Sequence, residues 1–211
     1  MNLSYNQEQL KSLGLPLTNS YDKEQLRTAV REAVDVMRRG GVILYPTDTV
    51  WGLGCDATQS EAVRRIYALK RRAEAKAMLV LTEAVGRVEW YFDRVPDIAW
   101  DLWDVADKPL TLILPRARNV APELLAEDGT LGIRITREPV SAALCAALKK
   151  PIVSTSANIS GEPTPRTFAA IADEVRRAVD YVFPLRQDET TLPPPSGIIK
   201  VGDGGLIEVI R

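Results

Sequence analysis

From Asp22 onward the chain alternates between helical and extended hydrophobic patterns, and the first is helical: Leu26, Val30, Ala33, Val34 and Met37 share one face. Gly40 and Gly41 are placed to stop that helix, because glycine accepts the left-handed backbone of a C-terminal cap. The apolar run Val42-Ile43-Leu44-Tyr45 then predicts a buried strand ending at Pro46. A second helix is expected over SEAVRRIYALK, with Ser60 as its N-cap. AMLVLT (77–82) reads as a strand, followed by helical stretches near 83–91 and 96–106, Pro96 suiting the first turn of the latter. Further strands are predicted at 110–115, 131–136 and 151–155, with the helix EPVSAALCAALKK between the last two. A helix is expected over 168–178, and YVFPL, SGIIKV and LIEVIR read as late strands.

Helices and strands are thus mixed without a strict βαβ repeat. That order predicts an α/β fold on a twisted, mixed β-sheet with flanking helices. Residues 1–20 are polar and weakly patterned, and read as an N-terminal extension. Residues 21–211 contain no repeat or linker and are expected to form one domain. A chain of 211 residues can carry its own core, burying roughly 70% of the surface its unfolded form exposes.

Composition narrows the chemistry more than the fold. Basic and acidic residues nearly balance, 27 against 28, so no global charge draws the chain to nucleic acid or to an anionic membrane. No apolar run approaches the ~18 residues that span a bilayer, and the N-terminus lacks the apolar core of a signal peptide. A cytoplasmic protein is expected. Cys55 and Cys145, the only cysteines, have no metal-ligand spacing and read as two reduced thiols. Histidine is absent altogether. This excludes Ser-His-Asp and Cys-His catalysis, histidine-ligated zinc and histidine proton shuttles.

Four segments are polar, turn-rich or cationic where a predicted strand or helix ends. Pro46-Thr47-Asp48-Thr49-Val50-Trp51-Gly52-Leu53-Gly54 offers hydroxyls, a tryptophan wall and glycines that admit close backbone approach. A simple Pro/Gly turn with capping threonines explains the same residues. In Lys70-Arg71-Arg72-Ala73-Glu74-Ala75-Lys76, Lys70 extends the face of Val63, Ile66 and Tyr67. Lys70 and Arg72 there could clamp phosphate, one as a point charge and one as a planar fork; a solvated basic helix terminus is the alternative. Ser154-Thr155-Ser156-Ala157-Asn158-Ile159-Ser160-Gly161-Glu162-Pro163-Thr164 packs hydroxyls and an amide directly after an apolar strand. Such density suits a polar ligand better than a plain loop. Arg134, between Ile133 and Ile135, must face opposite to them, and Ser196 follows the stiff run Pro193-Pro194-Pro195. No Walker A loop, GxGxxG fingerprint or kinase signature is present.

Taken in order, PTDTVWGLG, KRR, GIR, STSANISGEPTP and PSGII strongly resemble the YrdC-like threonylcarbamoyl-AMP synthase family, from about residue 25 to the C-terminus. The KxR and SxN signatures of that family correspond to Lys70/Arg72 and Ser156/Asn158. The resemblance implies a large, concave, basic cleft and a reaction in which L-threonine, bicarbonate and ATP give threonylcarbamoyl-AMP and pyrophosphate. It implies Thr49, Arg134, Ser154 and Ser196 as threonine contacts. ATP would meet Arg72, Lys76, Thr130, Ser156, Asn158, Thr164 and Arg211, with Lys70 and Arg72 as candidate catalytic cations. Mg²⁺ would arrive on the nucleotide, with no dedicated metal ligands. The product would pass to a tRNA threonylcarbamoyl transferase complex. A YciO-type protein that binds RNA or nucleotides without synthase activity, including double-stranded RNA, is the alternative within the same fold. A hydrogenase-maturation role is a third. The chain departs from the usual pattern at Ala73, Leu81 and Gly197.

Overall fold

The computed structural model describes residues 22–71, 78–190 and 194–211. The proposed extension 1–20, Arg72, Lys76 and Pro193 lie outside these. Asp22 caps helix α1 (Lys23–Arg38) through a reciprocal capping box with Gln25. The helix ends in a Schellman arrangement: Gly40 N–H donates to Met37 O, Gly41 N–H to Val36 O, and Gly40 has a φ of +80°. Its apolar stripe, Ala29, Val30, Ala33, Val34 and Met37, is buried as the periodicity requires.

Strand β1 (Ile43–Tyr45) follows, then β2 (Gly52–Gly54), and the two pair antiparallel. Helix α2 (Ser60–Leu69) comes next. Its N-cap is Gln59, not Ser60, and makes no side-chain cap bond. The Gln59 amide instead donates to the carbonyls of Met37 and Arg38 at the end of α1. A tertiary contact has displaced the local cap there.

The remaining elements are β3 (Leu79–Thr82), α3 (Asp97–Val105), β4 (Leu110–Leu114), β5 (Leu131–Ile135), α4 (Pro139–Leu148), β6 (Ile152–Ser156), α5 (Asp173–Arg177), β7 (Tyr181–Val182), β8 (Gly197–Val201) and β9 (Ile207–Val209). Together the strands form one mixed sheet in the order β7-β1-β2-β6-β3-β5-β4-β8-β9. Helix α1 packs on α4 and β1, and α4 on β3.

Three further expectations need correction. Residues 83–91 form a 3₁₀ turn, Val85–Trp90, and not an α-helix. The helix expected over 168–178 is broken into a 3₁₀ turn, Phe168–Ala170, and the five residues of α5. Between them Ile171 is extended and buried, while the Phe168 ring packs 4.8 Å from Trp51 and carries Arg176 on its other contact. Burial of Ile171 and packing of the Phe168 ring offset about one turn of helical hydrogen bonding. The third is β2, which reads as a turn because two of its three residues are glycine.

Pairing register places the polar residues. Gly52 opposes Ser156 across β2 and β6, and Leu79 opposes Ser154 across β3 and β6. Leu81 opposes Arg134, and Thr111 opposes Arg134 from the other side. Opposed residues share a face of the pleat. Gly52, Ser156, Ser154, Leu79, Arg134 and Thr111 therefore lie on one face, while Leu53, Val153, Val80, Ile133 and Leu112, all fully buried, form the other.

Candidate active site

On that polar face a cleft encloses ≈ 350 Å³. Of the residues expected from sequence, Thr49, Arg134, Ser154, Ser156, Thr164, Ser196 and Arg211 line it together. They come from five separate stretches of chain, brought together by the strand order.

The loop between β1 and β2 supplies the first wall. Thr47 Oγ1 donates to Val50 O at 2.7 Å and accepts from Thr49 N–H at 3.1 Å, so a side chain holds the turn. Gly52 is close-packed: an added Cβ would meet Thr155 O and Thr47 Cγ2 at 3.3 Å. On the far wall Ser196 Oγ lies 3.2 Å from Thr111 Oγ1, and Arg211 Nε donates to Ser196 O at 3.1 Å.

Arg134 forms the floor and is almost wholly buried. Its Nη2 lies 2.7 Å from Asp48 Oδ1. The approach is close without hydrogen-bond alignment: neither Asp48 Oδ1 nor Arg134 Nε completes a hydrogen bond. A buried guanidinium lining a cleft ringed by hydroxyls is suited to an anionic ligand. Burial pushes the Asp48 carboxyl above its ordinary range, and the Arg134 charge opposes that rise. Asp48 lies within the first motif, but nothing in the sequence distinguishes it from an ordinary turn aspartate. Its partner sits 86 residues away.

Other expected residues do not line the cleft. Asn158 turns inward: its Nδ2 donates to Ile159 O and Glu162 O, and its Oδ1 accepts from Ser156 Oγ at 2.5 Å. Thr130 is buried in the turn before β5, where its hydroxyl donates to Asp128 at 2.6 Å. Lys70 is the C-cap of α2, only 1% exposed, and its ammonium donates to the carbonyls of Ser156 and Asn158. Arg72 and Lys76 fall outside the described residues. Leu81 is fully buried beside Arg134 and does not line the cleft.

The two cysteines are free and buried, and burial raises both thiol pKa values, which leaves them unreactive. Among the described residues no group of three or more aspartate, glutamate or cysteine side chains converges to hold a metal ion. No described helix is long and apolar enough to cross a membrane.

Comparison with known proteins places this geometry. Residues 35–211 match the Sua5/YciO/YrdC family, described as "Telomere recombination". A Xanthomonas oryzae protein named threonylcarbamoyl-AMP synthase is 40% identical over 153 residues, covering 71% of this chain and 82% of the relative. Two solved structures are similar: P. abyssi Sua5 complexed with L-threonine (26% identity, TM-score 0.74) and E. coli YciO (27% identity, TM-score 0.75). The YciO match covers 88% of this chain and 89% of that one. The Sua5 match covers 82% of this chain but spans half the length of the Sua5 chain. The match over residues 35–211, carrying the cleft and its floor arginine, makes this chain a member of the Sua5/YciO/YrdC family.

Proposed function

We propose that this chain is a threonylcarbamoyl-AMP synthase that binds L-threonine on Arg134 and ATP along the β6 loop. The observation that carries the reading is Arg134, an almost wholly buried guanidinium lining a cleft bordered by Thr49, Ser154 and Ser196. A carboxylate there would meet a guanidinium already desolvated, and the hydroxyls match an amino acid's remaining polar groups. Two similarities support the choice: the X. oryzae relative's name and the L-threonine bound by P. abyssi Sua5.

In this reading the threonine amine condenses with bicarbonate to a carbamate, releasing water. A carbamate oxygen then attacks the α-phosphorus of ATP and pyrophosphate leaves. Such a displacement asks the protein for positioning and charge neutralisation, not for a protein nucleophile. Absence of histidine is no obstacle to it. Arg211, Ser156 and Thr164 border the nucleotide side, with Arg72 and Lys76 contributing phosphate contacts. Mg²⁺ would arrive with the nucleotide substrate. Passage of the product to a tRNA threonylcarbamoyl transferase complex, in the cytoplasm, completes the reading.

Pyrophosphate release measured with each of threonine, bicarbonate and ATP omitted in turn tests it. Release that requires all three is expected. Threonine-independent release, or none, would sink the synthase assignment. Salt-sensitive RNA binding in its place would favour the YciO-type alternative.

A further inference from the structure

We infer that Lys70 is a positioning residue that pins the β6 loop from beneath, and that it makes no contact with the nucleotide phosphates. The inference rests on the proposed function only for the identity of the ligands.

An ammonium removed from water needs acceptors for its N–H groups, since an unpartnered buried charge is strongly unfavourable. Lys70 is 1% exposed, and its Nζ lies 2.5 Å from Ser156 O and 2.7 Å from Asn158 O. Its own carbonyl accepts from Ser160 N–H at 2.9 Å. One residue at the end of α2 thus makes three bonds to alternate residues of the segment 156–160. Hydrogen bonds from a charged donor are about twice as strong as neutral ones. The same segment is tied internally by Asn158, whose side chain bonds Ser156, Ile159 and Glu162. Lys70 therefore holds the backbone from which Ser156 faces the cleft.

At 1% exposure, Lys70 could reach a phosphate in the cleft only by moving away from these carbonyls and leaving a buried acceptor without its donor. The charge in a KxR sequence suggests a clamp; the geometry here uses the lysine for the loop and leaves phosphate contact to other residues. A pin and a clamp differ in what they disturb. Loss of a pin releases a loop that serves both ligands, since Ser154 and Ser156 lie two residues apart on β6. Loss of a clamp affects the nucleotide alone.

Lysine-selective acylation of the unmodified protein, read by mass spectrometry, gives a test independent of any variant's folding. Lys70 is expected to stay unreactive without any ligand, and adding ATP should change nothing. Reactive Lys70 that ATP then protects would overturn the proposal. Lys70→Met should weaken threonine and ATP binding alike, each by about tenfold or more. The salt dependence of ATP binding should keep its wild-type slope. Lys70→Arg should fail to restore either affinity, because a planar, larger guanidinium does not fit the buried space beside the Ser156 and Asn158 carbonyls. A variant that loses ATP affinity alone, with a shallower salt slope and rescue by arginine, would establish the clamp instead. Failure of the wild type to bind threonine would overturn the proposed function, while the acylation result would still decide the role of Lys70.

Discussion

Two buried ion pairs, both absent from any local sequence pattern, differ in completeness. Glu138 caps α4: its carboxylate accepts from Val140 N–H, Ser141 N–H and Ser141 Oγ, and from Arg186 Nη1 at 2.6 Å. Arg186 in turn donates to Glu189, and both pairs of side chains are largely buried. Asp48 and Arg134 are as deeply buried and as close, yet each keeps an atom without a hydrogen bond. Natural interiors rarely leave such groups unmade. The satisfied pair is a fastening between α4 and the connection after β7, while the incomplete one floors the cleft. Of the two arginines, only Arg134 lines the cleft.

The comparison breaks at its strongest point if the fastening is dispensable. Glu138→Ala removes a cap and one of the two largely buried carboxylates that pair with Arg186, so a loss of about 2–4 kcal/mol is expected in denaturant unfolding. A loss under about 1 kcal/mol would remove the distinction. Arg134→Gln should act on binding instead. Threonine affinity is expected to fall about a hundredfold, by calorimetry, as a charge-assisted contact is lost. ATP affinity should move far less. Equal losses for both ligands would mean that Arg134 shapes the fold and does not face the carboxylate.

Asp48→Asn should weaken threonine binding by about tenfold, since Arg134 keeps its charge but loses its orienting partner. The same variant carries a pH signature. A carboxyl whose folded pKa lies above its unfolded value contributes stability that is present at low pH and lost as pH rises through the folded pKa. Asp48→Asn should remove that decline from the wild-type stability profile, and an unchanged profile would exclude Asp48 as its source. The smallest effect is expected at the surface. Hydrogen bonding from Lys200, aided by Thr130, holds the Asp128 carboxyl down to about 2, the opposite direction. Its stabilisation is present above the unfolded pKa and lost as pH falls toward 2. Asp128→Asn should slightly flatten acid unfolding below pH 4 without altering activity at neutral pH.

Much of the fold is legible locally. The stripe of α1 and its two terminal glycines are properties of residues close together in the chain, and the structure follows them closely. Strands β3, β4, β5 and β6 fall within a residue or two of their apolar runs. Failures occur where distant partners intervene. Gln59 caps the previous helix, and the helical pattern over 168–178 breaks where Phe168 packs on Trp51 and Ile171 is buried. β2 is missed because a glycine strand carries no apolar alternation.

The cleft is legible as a set of residues and illegible as an arrangement. Sequence alone determined which side chains are available: hydroxyls after β6, an isolated arginine in β5, a basic end to α2, and no histidine anywhere. These are matters of composition and order, which need no partner to be read. Only the tertiary structure decided how they are used. Strand order brings β6 between β2 and β3, so Ser154, Ser156 and Arg134 share a face with Thr49 at its edge. It also decided that Lys70 meets two carbonyls 86 and 88 residues away, and that Asp48 lies against Arg134. The physical reason is the same in each case. A charge takes its role from whatever replaces its water, and that replacement comes from segments far away in the chain.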